Sequence, residues 1–217
     1  MTSQIDDLLE AKFEILATNH RAVTQNRDDV STLDKFEKTD ELTALRNRRF
    51  LITDLELQIT NAHKKVEPIS FVMLNIDNFK QYNDSFGHRF GDEVLKFAAR
   101  LLELTVRYGE IVGRYGGEVF GIILPATNAV ESNRVAERCR KIIEEFKCPF
   151  QRVTVSLGCA TLLPRSGLPV DFNEAQGLIG MADQALYVSK RTGKNKVTQY
   201  DEIRNQAIKM NKIGELG

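Results

Sequence analysis

Three short segments hold the polar residues best placed to do chemistry. The first is Asn75-Ile76-Asp77-Asn78-Phe79-Lys80, trailed by Asn83-Asp84, Gly87-His88 and Gly91-Asp92. The second is Gly116-Gly117-Glu118-Val119-Phe120, and the third runs from Lys190 to Gly193-Lys194-Asn195. On a regular strand Asn75 and Asp77 point to the same side, which sets an amide and a carboxylate on one face. Taken singly, Asn83 reads as a loop residue, Asp92 as a helix cap, and Lys190 and Lys194 as solvated lysines. The three histidines, His20, His63 and His88, are well separated, which argues against a zinc site. The three cysteines, Cys139, Cys148 and Cys159, are odd in number and sit in apolar or mixed surroundings. They read as reduced thiols of a cytoplasmic protein, not as a disulfide framework.

The elements that must position these residues fit a chain of 217 residues, enough for one domain plus an extension. Lys+Arg and Asp+Glu each number 30, so the formal net charge is zero. That balance argues against nucleic-acid binding through bulk charge. No apolar run reaches the length of a membrane span, and the first residues lack the basic-then-apolar layout of a signal peptide.

Residues 1–38 contain no Gly or Pro and carry a seven-residue apolar beat at Leu9, Leu16, Val23 and Val30. The intervening d-type positions, Ile5, Lys12, Asn19, Asn26 and Leu33, are apolar only at the two ends. The segment reads either as a coiled-coil stalk joining a parallel homodimer or as a single surface helix. From Asp40 the pattern alternates. Helices are expected over 47–62, 89–107, 127–147 and 173–191. Strands are expected over 69–76, 110–115, 118–124 and 153–160, with a short last strand from Lys196. Gly116-Gly117 predicts a hairpin with a type I′ turn, because glycine takes the positive φ such a turn needs. The core order β-α-β-β-α-β is the ferredoxin-like α+β arrangement, with a mostly antiparallel sheet flanked by helices. Residues 201–217 form a charged tail.

Several motifs fall into one order. Asp40-Glu41-Leu42-Thr43-Ala44-Leu45-Arg46-Asn47 leads, followed by the Asn75–Asp92 series and Gly116-Gly117-Glu118-Val119-Phe120. Val153-Thr154-Val155-Ser156-Leu157-Gly158, Ala182-Asp183 through Tyr187 to Lys190, and Gly193-Lys194-Asn195 complete it. Together these resemble the GGDEF family, the diguanylate cyclases, over roughly residues 39–200. A lone Gly-Gly-Glu would be weak, but ordered motifs at the right spacing are specific.

The resemblance implies that two GTP molecules are joined into cyclic di-GMP, each 3′-hydroxyl attacking the other's α-phosphate as pyrophosphate leaves. It implies Mg²⁺ or Mn²⁺, hard cations that take carboxylate oxygens. Metal contacts are then placed at Asn75, Ile76 and Glu118, with Asp77 as the substitute acid that period-two geometry offers. The family carries an acid at the position of Asn75 and another at that of Val119. Of three converging carboxylates only Glu118 remains. At about 4 Å and a near-surface dielectric, each lost charge contact is worth on the order of 4 kcal/mol. The expectation is a degenerate domain with absent or much reduced synthesis, and the alternative is a working cyclase that tolerates both replacements.

Asn83 and Asp92 match the positions that read guanine. Phe79 and Lys80 match the turn that cradles phosphate, and Lys190 and Lys194 match the basic phosphate contacts. Arg107-Tyr108-Gly109-Glu110, with Arg138, lies where the family's inhibitory Arg-x-x-Asp site for cyclic di-GMP belongs. Glu110 stands there in place of the aspartate. Solvated surface charges are the competing reading of that cluster.

Overall fold

A computed structural model describes residues 37–146, 151–164 and 173–206. The expected N-terminal helix of residues 1–38 therefore falls almost wholly outside the described residues, as does Cys148. A compact unit begins at Thr39, and its architecture follows.

The elements run α1 (Arg48–Lys65), β1 (Ile69–Ile76), α2 (Phe79–Phe86), α3 (His88–Thr105), β2 (Ile111–Gly116), β3 (Val119–Pro125), α4 (Ala129–Glu145), β4 (Val155–Leu162), α5 (Glu174–Arg191) and β5 (Val197–Gln199). Local chemistry sets several boundaries. Asn47 caps α1 by accepting from the Phe50 amide. Asn128 and Glu131 form a reciprocal capping box at the start of α4. Pro68 precedes β1, and Pro125 closes β3.

The five strands lie in the order β2-β3-β1-β4-β5. All pairings are antiparallel except β4 with β5. β1 is central and all eight of its residues are buried, because helices cover both faces of the sheet. Phe71, Met73 and Ile123 pack with Leu51, Leu55 and Ile59 of α1 and Leu178, Ala182 and Leu186 of α5. Val72, Leu74, Ile76, Phe120 and Ile122 pack with Leu95, Ala98 and Leu102 of α3 and Val135, Cys139 and Ile143 of α4. Alternate residues of one strand thus feed two cores. Gly158 is what lets α5 lie against β4, since a Cβ there would sit 2.1 Å from the Leu186 amide nitrogen.

Two expectations need correction. The loop after β1 is helical: Phe79–Phe86 forms α2, with Asn78 at a φ of 56° before it. Eight residues of mixed polarity gave no clear period, and Asn78 supplies the left-handed step that asparagine tolerates. The hairpin turn is also not type I′. Gly117 has a φ of 54°, but Glu118 is not among the residues with positive φ, and a I′ turn needs both. A register shift between Arg114 and Gly116 inserts a bulge before the turn.

Candidate functional site

The polar residues gather at the C-terminal end of β1, where the β2–β3 hairpin, α2 and the segment after α5 meet. On one side Asn75 pairs directly with Val119 of β3. Directly opposed residues of an antiparallel pair share a face, so the two positions lacking acids are cross-strand neighbours. Asn75 is 4 % exposed, while Glu118 and Val119 are half-buried. The Glu118 carbonyl accepts from the Ile76 amide at 3.2 Å, which holds the turn against β1. The Ile76 side chain faces the opposite core, with α3 and α4; only its backbone borders the site.

Asp77 is not available as a substitute acid. Its carboxylate accepts from Ser156 Oγ at 2.6 Å, Thr154 Oγ1 at 2.8 Å and the Asn195 amide at 3.0 Å. The residue is 8 % exposed. The period-two expectation holds for β1 itself, but Asp77 lies one residue past its end, where three donors pull the carboxylate toward β4. Among the described residues no three His, Cys, Asp or Glu side chains stand close enough to hold a metal ion. With Val119 contributing no oxygen, Asn75 no charge and Asp77 engaged elsewhere, the residues present do not fit a two-metal centre.

The other side is built differently. Asn83 lies within α2 and Asp92 is the fifth residue of α3, so neither is the loop residue or cap that each suggests alone. Asn83 Oδ1 is buried and has no hydrogen-bond partner. A Cβ at Gly91 would stand 1.9 Å from that oxygen, so any larger residue there would push the Asn83 amide aside. The contact brings Asn83 beside the residue preceding the exposed Asp92. Phe79 is buried and Lys80 exposed at the start of α2. Their amides belong to the first helical turn, where N–H groups have no intrahelical acceptor.

Lys194 reaches across to this corner. Its Nζ donates to Asn78 Oδ1, and its amide donates to the Ser189 carbonyl at 3.0 Å. Gly193, Lys194 and Asn195 all have positive φ. Asn195 locks that turn: its amide binds Asp77, its Nδ2 donates to Glu144 Oε1 at 2.8 Å, and its Oδ1 accepts from Arg140 at 2.9 Å. Hydrogen bonds from Asn195 and Arg140 hold the Glu144 pKa below the usual carboxylate value. Lys190, half-buried, is in the last turn of α5, four residues before Lys194. The positioning roles of Asn195, Asn78 and Gly91 are invisible in single-residue reading; Gly193 and Asn195, which tolerate left-handed backbone on either side of Lys194, are the one available signal.

A separate corner holds the arginines. Arg138 donates to the Thr105 carbonyl at 2.7 Å, which brings it to the end of α3 beside Arg107. Among the described residues Glu110 forms no salt bridge with an arginine side chain; its Oε2 accepts from the Arg107 amide at 2.6 Å and closes the turn. Arg107 and Arg138 are both exposed. The leading segment is tied to the sheet elsewhere. Asp40 accepts from the Thr43 amide and hydroxyl and from Arg114, and the Arg46 carbonyl accepts from the Arg114 amide. Cys139 and Cys159 are buried free thiols. Burial pushes Cys139 up to about 12 and raises Cys159 further, so neither is a nucleophile at neutral pH. Among the described residues no helix is long and apolar enough to cross a membrane.

Comparison with known proteins converges on one group. Residues 37–196 match the family described as diguanylate cyclase, GGDEF domain. The chain is 37% identical over 163 residues to diguanylate cyclase DosC of Escherichia coli, covering 73% of this chain and 34% of DosC. It is 36% identical over 165 residues to the response regulator PleD of Caulobacter vibrioides, with 73% and 35% covered. The chain thus spans about a third of the length of these curated relatives. Among solved structures, the coiled coil and GGDEF domain of DgcB from Caulobacter crescentus, in complex with c-di-GMP, superposes with a TM-score of 0.71 at 29% identity, covering 88% of this chain and 98% of that one.

Proposed function

Because this chain belongs to the GGDEF family of diguanylate cyclase domains, we propose that it is a degenerate member: it binds guanine nucleotide, as GTP or cyclic di-GMP, while synthesising cyclic di-GMP far more slowly than an intact relative. The observation that carries this reading is the pairing of Asn75 with Val119. Two replaced acids at unrelated places could be compensated separately. Two that face each other across one ladder rung remove charge from a single point, and Asp77, the substitute acid that strand period offers, is engaged by three donors.

The base and phosphate side supports retained recognition. Asn83 presents an unsatisfied buried oxygen, which is costly to leave unpaired and suits a base-edge donor. Asp92 is exposed and carries the complementary carboxylate, and Lys80, Lys190 and Lys194 supply cations for the phosphates. ATP presents a different donor pattern to Asp92 and is expected to bind more weakly. The exposed Arg107 and Arg138 offer a second place for cyclic di-GMP, with Glu110 serving the turn. We assign residues 1–38 to a stalk that joins a homodimer, residues 39–200 to the GGDEF domain and residues 201–217 to a tail, in the cytoplasm.

The test incubates purified protein with GTP and Mg²⁺ or Mn²⁺ and measures cyclic di-GMP, with bound nucleotide followed in parallel. Little or no product with measurable GTP binding is expected. Asn75→Asp with Val119→Glu raises product formation if the remainder of the site is competent. Robust synthesis by the unaltered chain would overturn the reading.

A further inference from the structure

We propose that this site takes its guanine nucleotide as the free, metal-less polyanion, so that Mg²⁺ opposes nucleotide binding instead of supporting it. The inference rests on the reading of the chain as a nucleotide binder and concerns what species is bound.

Charge at the end of β1 is the basis. In a site with converging carboxylates, a triphosphate would meet like charge, and a divalent ion must sit between them. Here Asn75 and Val119 face each other with no charge between them. Asp77 is screened by the hydroxyls of Thr154 and Ser156 and the Asn195 amide. Glu118 is the one acid left of that cluster. Lys194 is the cation that the fold places at the same strand end. Lys194 is held to Asn78, three residues past Asn75, by its Nζ. Lys190 is in the last turn of α5, four residues before Lys194, and Lys80 is the second residue of α2.

Lys194 is also held in place without a ligand. The turn bearing Lys194 is fixed by Asn195, whose amide and side chain reach Asp77, Glu144 and Arg140. A corner where Lys194 is held in place, Asp77 is engaged by three donors and Glu118 alone remains of the metal-binding acids favours the more highly charged form of the ligand. Mg²⁺ lowers the charge on GTP and gains too little from Asn75, Val119 and Glu118 to repay that loss. The two effects share one sign: metal bound to the nucleotide weakens its attraction to lysine and finds no ligand set in return.

The experiment is titration calorimetry with GTP in EDTA and again in excess MgCl₂ at matched ionic strength, on the wild type, Lys194→Ala and the double variant Asn75→Asp/Val119→Glu. For the wild type, binding about five- to tenfold tighter in EDTA is expected. Lys194→Ala lowers affinity in EDTA and shrinks the difference between buffers. The double variant, whose fold is checked by circular dichroism, reverses the order and binds more tightly with Mg²⁺. Equal or tighter binding by the wild type in MgCl₂ overturns the inference while leaving nucleotide binding intact, and so does an EDTA affinity that ignores Lys194→Ala. Absence of GTP binding in both buffers overturns the underlying reading as well. The wild-type comparison stands by itself if the double variant fails to fold.

Discussion

On the β4 side of β1, a buried carboxylate is engaged by three donors. Asp77 accepts from Ser156, Thr154 and Asn195, and Asn195 continues to Glu144 and Arg140. On the β3 side, Asn75 faces Val119, and among the described residues no three His, Cys, Asp or Glu side chains gather to hold a metal ion. The two sides border the same strand end, yet only one keeps the residues its chemistry would need. The difference shows that positioning and reactivity are separable here. Hydrogen bonds that hold the phosphate-side turn also hold the sheet to α4 and α5, so losing them costs the fold. At the metal side, Asn75 is buried and Val119 packs against the α1–α5 core, so both positions serve the sheet without any carboxylate.

The largest effect is expected from Asp77→Ala, which strikes the side that is shared with the fold. It leaves two hydroxyls and one amide without their acceptor, at a cost of about 3–5 kcal/mol. Denaturant unfolding would show it as a drop in midpoint, with nucleotide binding lost along with stability. A change within 1 kcal/mol would mean that the Asp77 ties are incidental.

Gly91→Ala tests the base side alone. The new methyl would sit 1.9 Å from Asn83 Oδ1 and 3.2 Å from Phe79 Cζ. Asn83 must move, and overpacking of this kind costs about 1–3 kcal/mol. GTP affinity is expected to fall by more than the loss of stability explains, since the displaced amide is the proposed base contact. Unchanged affinity in calorimetry would detach Asn83 from recognition.

Asn128→Ala is a calibration far from either side. It removes the capping box of α4 and should cost about 1 kcal/mol, with GTP binding unaltered. A fall in affinity matching that of Gly91→Ala would mean that global softening, not the Asn83 contact, governs binding.

The smallest effect concerns pH. Burial raises the Asp40 pKa, but hydrogen bonds from Thr43 and Arg114 outweigh it, and the net value lies below the ordinary 3.8. A carboxyl depressed in the folded state contributes stability that is present above its unfolded value and lost as pH falls through the folded one. Stability should therefore decline below about pH 4, and Arg114→Leu should flatten that acid limb. Because the pair is partly exposed, added salt should weaken the effect. An acid limb identical in the variant would assign the decline to other carboxylates.

Much of the fold was legible because period is a local property. The apolar run Ile69–Ile76 could be read directly as a buried strand, and the amphipathic stripes of α3 and α4 followed from spacing alone. The short α2 was not legible. Its eight residues are held by their neighbours: Phe79 and Tyr82 are buried in the core, and burial, not propensity, decides so short a helix.

For the site, residue identity alone determined which acids are missing, and the order of motifs determined the family. Charge and side-chain length belong to the residue and survive any folding. What the tertiary structure decided was adjacency. It set Asn75 against Val119 across one rung, turned Asp77 toward β4, and brought Lys194 back to Asn78 across 116 positions of chain. Register, and the direction in which a carboxylate finds its donors, depend on partners distant in sequence, and no local pattern encodes those distances.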